Sequence, residues 1–142
     1  THPEMTVSFD NEAFYVPEGF EEENLRRAVI QAYKLFARNY LTARTYEIAR
    51  MMGLKPSAVK VNSAKTRWGS CSSRGSVNYT WYAVMADRDA VDYIIIHELC
   101  HMRHMNHSKA FWNEVRKWCP EFERMKDKLK EVWREIQGER WD

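Results

Sequence analysis

Residues 91–101 read Val-Asp-Tyr-Ile-Ile-Ile-His-Glu-Leu-Cys-His. The first six are too apolar for a solvated surface, and Asp87 and Asp89 precede them, where negative charge favours a helix N-terminus. The stretch therefore predicts a buried helix. On such a helix His97 and His101 are four residues apart, so their imidazoles lie on one face, with Cβ atoms roughly 5–6 Å apart.

Polar side chains on the face of a buried helix need partners. A divalent cation would satisfy the imidazoles of His97 and His101 together, and a hydrogen-bonded structural cluster is the alternative. Glu98 lies one step round the helix from His97. This offset keeps its carboxylate out of direct coordination but within reach of a water on the ion, so the spacing is typical of a zinc site with a general base beside it.

A third ligand is needed, because a catalytic zinc site takes three protein ligands and leaves a position for water. We expect this ligand to be His107. Asn106 can end the helix in left-handed backbone and Ser108 can cap the next helix, which places His107 on the reversal. Two alternatives stay open: His104, which we expect to support a ligand or lie at the surface, and Glu114, which we expect to be an exposed helix charge.

Three separate motifs occur in order between residues 59 and 118. They are Arg-Trp-Gly-Ser-Cys at 67–71, His-Glu-Leu-Cys-His at 97–101, and Asn-His-Ser at 106–108 with Phe111-Trp112 after it. Together they resemble the YgjP-like family of metal-dependent hydrolases, relatives of the SprT-like and WLM zinc peptidases.

The resemblance implies an α+β fold and a set of site residues. The fold would be a small zincin-like domain, with a short antiparallel β-sheet packed with an active-site helix and flanking helices. His97, His101 and His107 would be the zinc ligands, and Glu98 the catalytic base. The chain departs from the family at Thr80, where Asn is common, and at Asp87, where Pro is common; neither position touches the metal set.

The activity predicted from these residues is hydrolysis of a peptide bond by a metal-activated water, with Glu98 as the base. The resemblance to zincins further implies that an exposed strand edge at 68–72, or the neighbouring strand, receives the peptide. Arg67, Tyr79 and Tyr82 are candidates for stabilising the oxyanion. There are two alternatives: a zinc hydrolase of a non-peptide amide, and a zinc-stabilised binding module without catalysis. Glu98 argues against the binding module, because a structural zinc site does not need a base.

Periodicity and turn residues predict the other helices and strands of one domain spanning residues 1–142, in which 1–20 are the tail of a β-rich N-terminal segment. The predicted set is a hairpin at 7–9 and 14–16, helices at 21–40 and 42–52, strands at 58–62, 66–71 and 76–81 with a turn at 73–75, and helices at 108–118 and 120–138.

Composition limits the partners. With 22 basic and 20 acidic residues, the chain gives no reason to expect nucleic acid, and the lysines at 126, 128 and 130 are predicted to form a solvated helix face. No stretch is apolar enough for a membrane span. Three cysteines without framework spacing and the lack of a secretory pattern predict a cytoplasmic protein, in which Cys71 and Cys100 pack rather than bind metal.

Overall fold

The computed structural model describes residues 8–9, 14–15 and 21–138 of the chain. It confirms the α+β class. In chain order the structure contains β1 (Ser8–Phe9), β2 (Phe14–Tyr15), α1 (Glu22–Met52), β3 (Ala58–Asn62), β4 (Gly69–Cys71), β5 (Ser76–Thr80), a 3-10 helix (Trp81–Met85), α2 (Arg88–Cys100), α3 (Lys109–Trp118) and α4 (Phe122–Gly138).

The N-terminal hairpin is present in the described residues. β1 and β2 pair antiparallel, with Ser8 opposite Tyr15 and Phe9 opposite Phe14. The rest of residues 1–20, which we expected to be the tail of a β-rich segment, lies outside the described residues.

α1 is one helix where the sequence predicted two. Because neither Gly nor Pro interrupts residues 22–52, nothing breaks the helix between the two predicted segments. It ends as predicted at Gly53, whose φ of 73° is the left-handed conformation that glycine adopts at low cost. Buried residues recur along one face at helical spacing: Ile30, Ala37, Leu41, Thr45, Ile48, Ala49 and Met52.

The three main strands form a mixed sheet in the order β3-β5-β4. β4 pairs antiparallel with β5, as expected, through the predicted turn, where Gly75 has a φ of 82°. β3 runs parallel to β5, so the sheet is not wholly antiparallel. Since β5 is paired on both sides, β4 is an edge strand, and it lies against α2.

α2 is the buried helix that the sequence predicted. Asp87 is its N-cap, and its side chain accepts a hydrogen bond from the backbone N–H of Ala90 at 3.0 Å. Lys128 of α4 donates to the same carboxylate at 2.9 Å, which fixes α4 against the start of α2. Asp87, where the resemblance led us to expect Pro, therefore has a capping role of its own.

Within the described residues, no helix combines the length and the apolar character that a bilayer span requires.

Candidate active site

Three histidines converge where α2 ends. His97 and His101 lie one helical turn apart on α2 and at its C-cap, and His107 returns from the following turn. Their ring centroids are 5.1 Å apart for His97 and His101, 5.3 Å for His97 and His107, and 4.7 Å for His101 and His107. One ligand nitrogen from each ring lies within 4.8 Å of the other two.

The ring of Phe111 packs against all three histidines of this cluster. Its ring is fully buried and lies 4.5–5.1 Å from all three imidazoles. Trp112, on the same helix, stacks on His107 with ring centroids 5.9 Å apart. Burial, reinforced by the neighbouring His101 and His97, lowers the pKa of His107, so this ring is neutral near pH 7 and can donate its lone pair to an ion.

The chain brings His107 back by a route that differs from the predicted one. α2 ends at Cys100, about a turn earlier than expected, and continues as tight turns in which His104 donates its N–H to the carbonyl of Cys100. No non-glycine residue in the described ranges has a positive φ, so the prediction of a left-handed Asn106 was wrong. Ser108 does cap α3, as predicted, by accepting from the N–H of Phe111 at 3.3 Å.

His104 and Glu114 lie beside the histidine cluster, outside the group of converging nitrogens. The carbonyl oxygen of His104 accepts a hydrogen bond from Nδ1 of His101 at 3.0 Å, which leaves Nε2 of His101 with its lone pair free. The Glu114 carboxylate pairs with Arg103 and lies 3.0 Å from Nε2 of His104. Glu114 is thus a partly buried ion-pairing residue, not the exposed charge we expected.

Glu98 is buried, with 5% of its surface exposed, and its Oε2 lies 3.3 Å from Nδ1 of His97. The edge strand β4 passes directly over it. A Cβ placed on Gly69 would lie 3.1 Å from Cγ of Glu98, 3.3 Å from its Oε2 and 2.7 Å from the carbonyl oxygen of Asn78. Only a residue without a side chain allows β4 to approach the carboxylate this closely, and a glycine within a predicted strand was the available signal for this contact.

We therefore expect Gly69→Ala to lower both the stability of the fold and the rate of hydrolysis. Since the 2.7 Å contact is with the backbone oxygen of Asn78 on β5, β4 must shift relative to β5, and this shift also changes its contact with Glu98. Overpacking of this kind costs about 1–3 kcal/mol of stability, and displacement of Glu98, the base predicted from the sequence, should lower hydrolysis by roughly tenfold or more. Urea unfolding and kcat/KM measure the two effects. Gly138→Ala is the matched control, because no atom of the described residues lies within 4 Å of its added Cβ; equal behaviour of the two variants would contradict the close-approach argument.

A cavity of about 240 Å³ opens beside His97 and Glu98. Tyr93 lines it one turn before His97, with the two rings 5.9 Å apart. The sequence analysis treated Tyr93 only as part of the apolar run. Its position four residues before His97 was the signal that could have placed it on the same face.

The structure separates the three candidates for the oxyanion. Tyr79 is fully buried, and its hydroxyl accepts a hydrogen bond from Thr45 at 3.0 Å, so it belongs to the core. Tyr82 is buried and stacks on Trp81 with centroids 4.2 Å apart. Arg67 is exposed and lines the cavity that contains His97 and Glu98. Arg67 is therefore the one of the three that faces the site.

Neither Cys71 nor Cys100 belongs to the converging group, although Cys71 lies near the histidines. Burial raises the pKa of the Cys71 thiol to about 11, with a further contribution from the Glu98 charge, and burial raises that of Cys100 to about 12. Both thiols are therefore protonated near pH 7, in keeping with the packing role predicted for them. Thr80 is buried and donates to the carbonyl of Ala64 at 2.7 Å.

The donor set fits a divalent metal ion. Three imidazole nitrogens converge from one side, the nearby carboxylate is turned toward the cavity, and this mixture of ligands with a neighbouring base is what zinc and similar borderline ions take in hydrolytic sites.

Two solved structures resemble the chain in fold. They are the metallopeptidase zymogen of Pyrococcus abyssi abylysin (TM-score 0.57, 24% identity, 68% of this chain and 95% of that chain) and that of Methanocaldococcus jannaschii jannalysin (TM-score 0.50, 23% identity, 69% and 94%). A comparison with functionally curated proteins gave no match. At these identities the two structures support the zincin-like fold alone.

The sequence model of the YgjP-like metallopeptidase domain matches residues 2–132. This match covers nearly the whole chain and confirms the resemblance drawn from the three motifs. The chain therefore belongs to the YgjP-like family of metallopeptidases, which use a metal ion to hydrolyse peptide or protein substrates.

Proposed function

We propose that this metallopeptidase is a zinc enzyme in which His97, His101 and His107 hold the ion and Glu98 is the general base. The observation that carries the proposal is the convergence of three imidazole nitrogens within 4.8 Å, next to a buried carboxylate 3.3 Å from His97. Zinc, when bound by three neutral imidazoles, supplies a Lewis acid that lowers the pKa of water to about 7 and polarises a carbonyl.

The chain's own residues supply the rest of the reaction. Glu98 takes the proton from the attacking water and passes it to the leaving amine, a role that its burial and fixed position beside β4 support. His104 holds His101 in the tautomer that keeps Nε2 free. β4 is the sheet edge next to the site, and an extended peptide can add to such an edge by backbone hydrogen bonds.

We propose further that residues 1–142 form one domain. One core cluster joins α1, the sheet and the three later helices, which supports this reading. Cys71, Cys100 and Cys119 are free thiols, which supports the reducing, cytoplasmic compartment expected from the cysteine pattern.

A peptide library tests the proposal. The protein loaded with one zinc per chain should cleave library peptides, lose this activity on treatment with a chelator, and regain it on addition of zinc; mass spectrometry of the products gives the cleaved bonds. If the zinc-loaded protein cleaved a panel of non-peptide amides but no peptide, the amide hydrolase alternative would replace the proposal. If it cleaved neither amides nor peptides, the zinc-stabilised binding module would replace the proposal.

A further inference from the structure

A second cavity adjoins the one at His97 and Glu98. It has a volume of about 470 Å³ and lies between residues 66–68 and α4, a size typical of sites that enclose a ligand group. The two cavities are continuous, since they share four lining residues: Arg67, Trp68, Tyr93 and Leu129. A peptide substrate that reaches the histidine cluster can therefore extend into this adjoining cavity.

Among the described residues, the lining of the adjoining cavity contains cations and no acid. The basic residues of the lining are Arg67, Lys126, Lys130 and Arg134. The whole chain carries 22 basic and 20 acidic residues, so this is a local excess of positive charge. Arg134 pairs with Glu131 at 2.9 Å, outside the lining. Arg67, Lys126 and Lys130 form no ion pair with any residue between 21 and 138, so three of the four cations have no ion-pair partner there.

Charged residues of α4 line two different cavities. Lys126 and Lys130 are four residues apart and both line the adjoining cavity. Asp127, Lys128 and Glu131 line a different cavity on the other side of the helix. Lys126 and Lys130 are exposed, and the two acids interleaved with them, Asp127 and Glu131, lie on the other side of α4.

Aromatic contacts fix the shape of the adjoining cavity. Trp68 and Trp133 meet edge to face with centroids 4.4 Å apart, and this contact ties α4 to the segment before β4. Nζ of Lys126 lies 4.9 Å from the centroid of Trp112, beside the histidine cluster. All four cations are exposed residues, so their charges are available to an anion that enters from solvent, and salt screens the attraction.

We propose that the adjoining cavity binds a carboxylate of the peptide substrate, so that the enzyme selects peptides with an acidic group near the scissile bond. The proposal rests on the peptidase function proposed above. Carboxylates are the anions that an unmodified peptide carries, and the Arg67 guanidinium can hold one through two parallel hydrogen bonds. The carboxylate comes from an Asp or Glu side chain or from the peptide C-terminus, close to the cleaved bond, because Arg67 lines both cavities.

Binding to the inactive, zinc-loaded Glu98→Gln protein tests this inference apart from catalysis. Peptides that differ only by Glu or Gln at each of the three positions on either side of the scissile bond are titrated by calorimetry, each as the C-terminal acid and as the amide. At one position, or at the C-terminus, the carboxylate should tighten Kd by roughly 10- to 100-fold. The preference should shrink in 0.5 M NaCl, because salt screens partly exposed charges.

Variants assign the effect to the cavity. In the Glu98→Gln background, Arg67→Gln with Lys130→Gln should reduce the preference for the acidic peptide to about twofold or less, and Lys130→Gln alone should reduce it in part. Lys60→Gln, which removes an exposed charge on β3 outside both cavities, should leave it unchanged. Circular dichroism checks the fold of each variant.

The outcomes for the inference and for the peptidase function are distinct. Equal Kd values for acidic and neutral peptides, an unchanged preference in the double variant, or no binding of any peptide would each overturn the carboxylate subsite. Selective binding of acidic peptides that the zinc-loaded wild type does not cleave would support the subsite and count against the proposed function. Cleavage of peptides without any preference for acidic ones would support the proposed function and overturn the carboxylate subsite.

Discussion

Glu98→Gln is expected to keep the metal and the fold and to lower hydrolysis by roughly 10²- to 10⁴-fold, the usual contribution of a positioned general base. The amide has nearly the shape of the carboxylate, so the buried space between α2 and β4 stays filled. Because Glu98 lies outside the group of converging nitrogens, its replacement removes no ligand. The amide cannot take a proton from water, and kcat/KM should fall through kcat.

The control is Glu121→Gln, which makes the same chemical change at an exposed site. Within the part of the chain that the structure describes, Glu121 forms an ion pair with Arg124 alone, three residues on, and an exposed pair of this kind contributes little to stability. Metal content by mass spectrometry and kcat/KM on one peptide should both match the wild type. If Glu98→Gln retained full turnover with a full complement of metal, Glu98 would not be the base.

Loss of the metal is the second large effect that we expect. His97→Ala, His101→Ala and His107→Ala should each purify without the ion, because each removes one of three converging nitrogens. The loss in affinity should exceed the roughly 10- to 100-fold that removal of an outer-shell partner costs. Metal analysis after dialysis against a weak chelator measures it.

His104→Ala is the matched control for the ligand variants. It removes an imidazole a few residues from the others but keeps the backbone carbonyl that accepts from Nδ1 of His101. We therefore expect it to retain about one ion per chain. If this variant alone lost the ion, His104 and not His107 would be the third ligand.

The metal should also leave as the pH falls. The folded-state pKa of His107 is lowered, so the ring resists protonation in the folded chain, and the stability linked to its neutral form is complete above the ordinary pKa of about 6.5. Below that value protons compete with the ion for the imidazoles, and both metal content and unfolding free energy should decline. A metal content unchanged at pH 4 would be incompatible with a site made of imidazoles alone.

Local sequence was sufficient for the features that depend on neighbours in the chain. The spacing of His97 and His101 places both rings on one face of any helix, and Asp87 and Ser108 cap helices wherever such residues precede an apolar run. The end of α1 at Gly53 was likewise readable from one residue. Three motifs in order were enough to identify the family.

Predictions that depended on where a turn leads were less accurate. His107 lies in the converging cluster, but the left-handed Asn106 on which its prediction as third ligand rested is not present in the structure. Instead, α2 ends at Cys100, and a series of tight turns after it reverses the chain toward His107. The direction of β3, parallel to β5, was also beyond the sequence, because strand pairing depends on which partner the connecting chain allows.

The sequence by itself determined the helix that carries His97, Glu98 and His101, because helical periodicity is set by hydrogen bonds between residues four apart. Only the tertiary structure decided what surrounds that helix. The approach of Gly69 to Glu98 and the meeting of Arg67 with Lys126 and Lys130 join residues far apart in the chain. Such contacts follow from how sheet and helices pack, and no spacing along the chain encodes the distance between them.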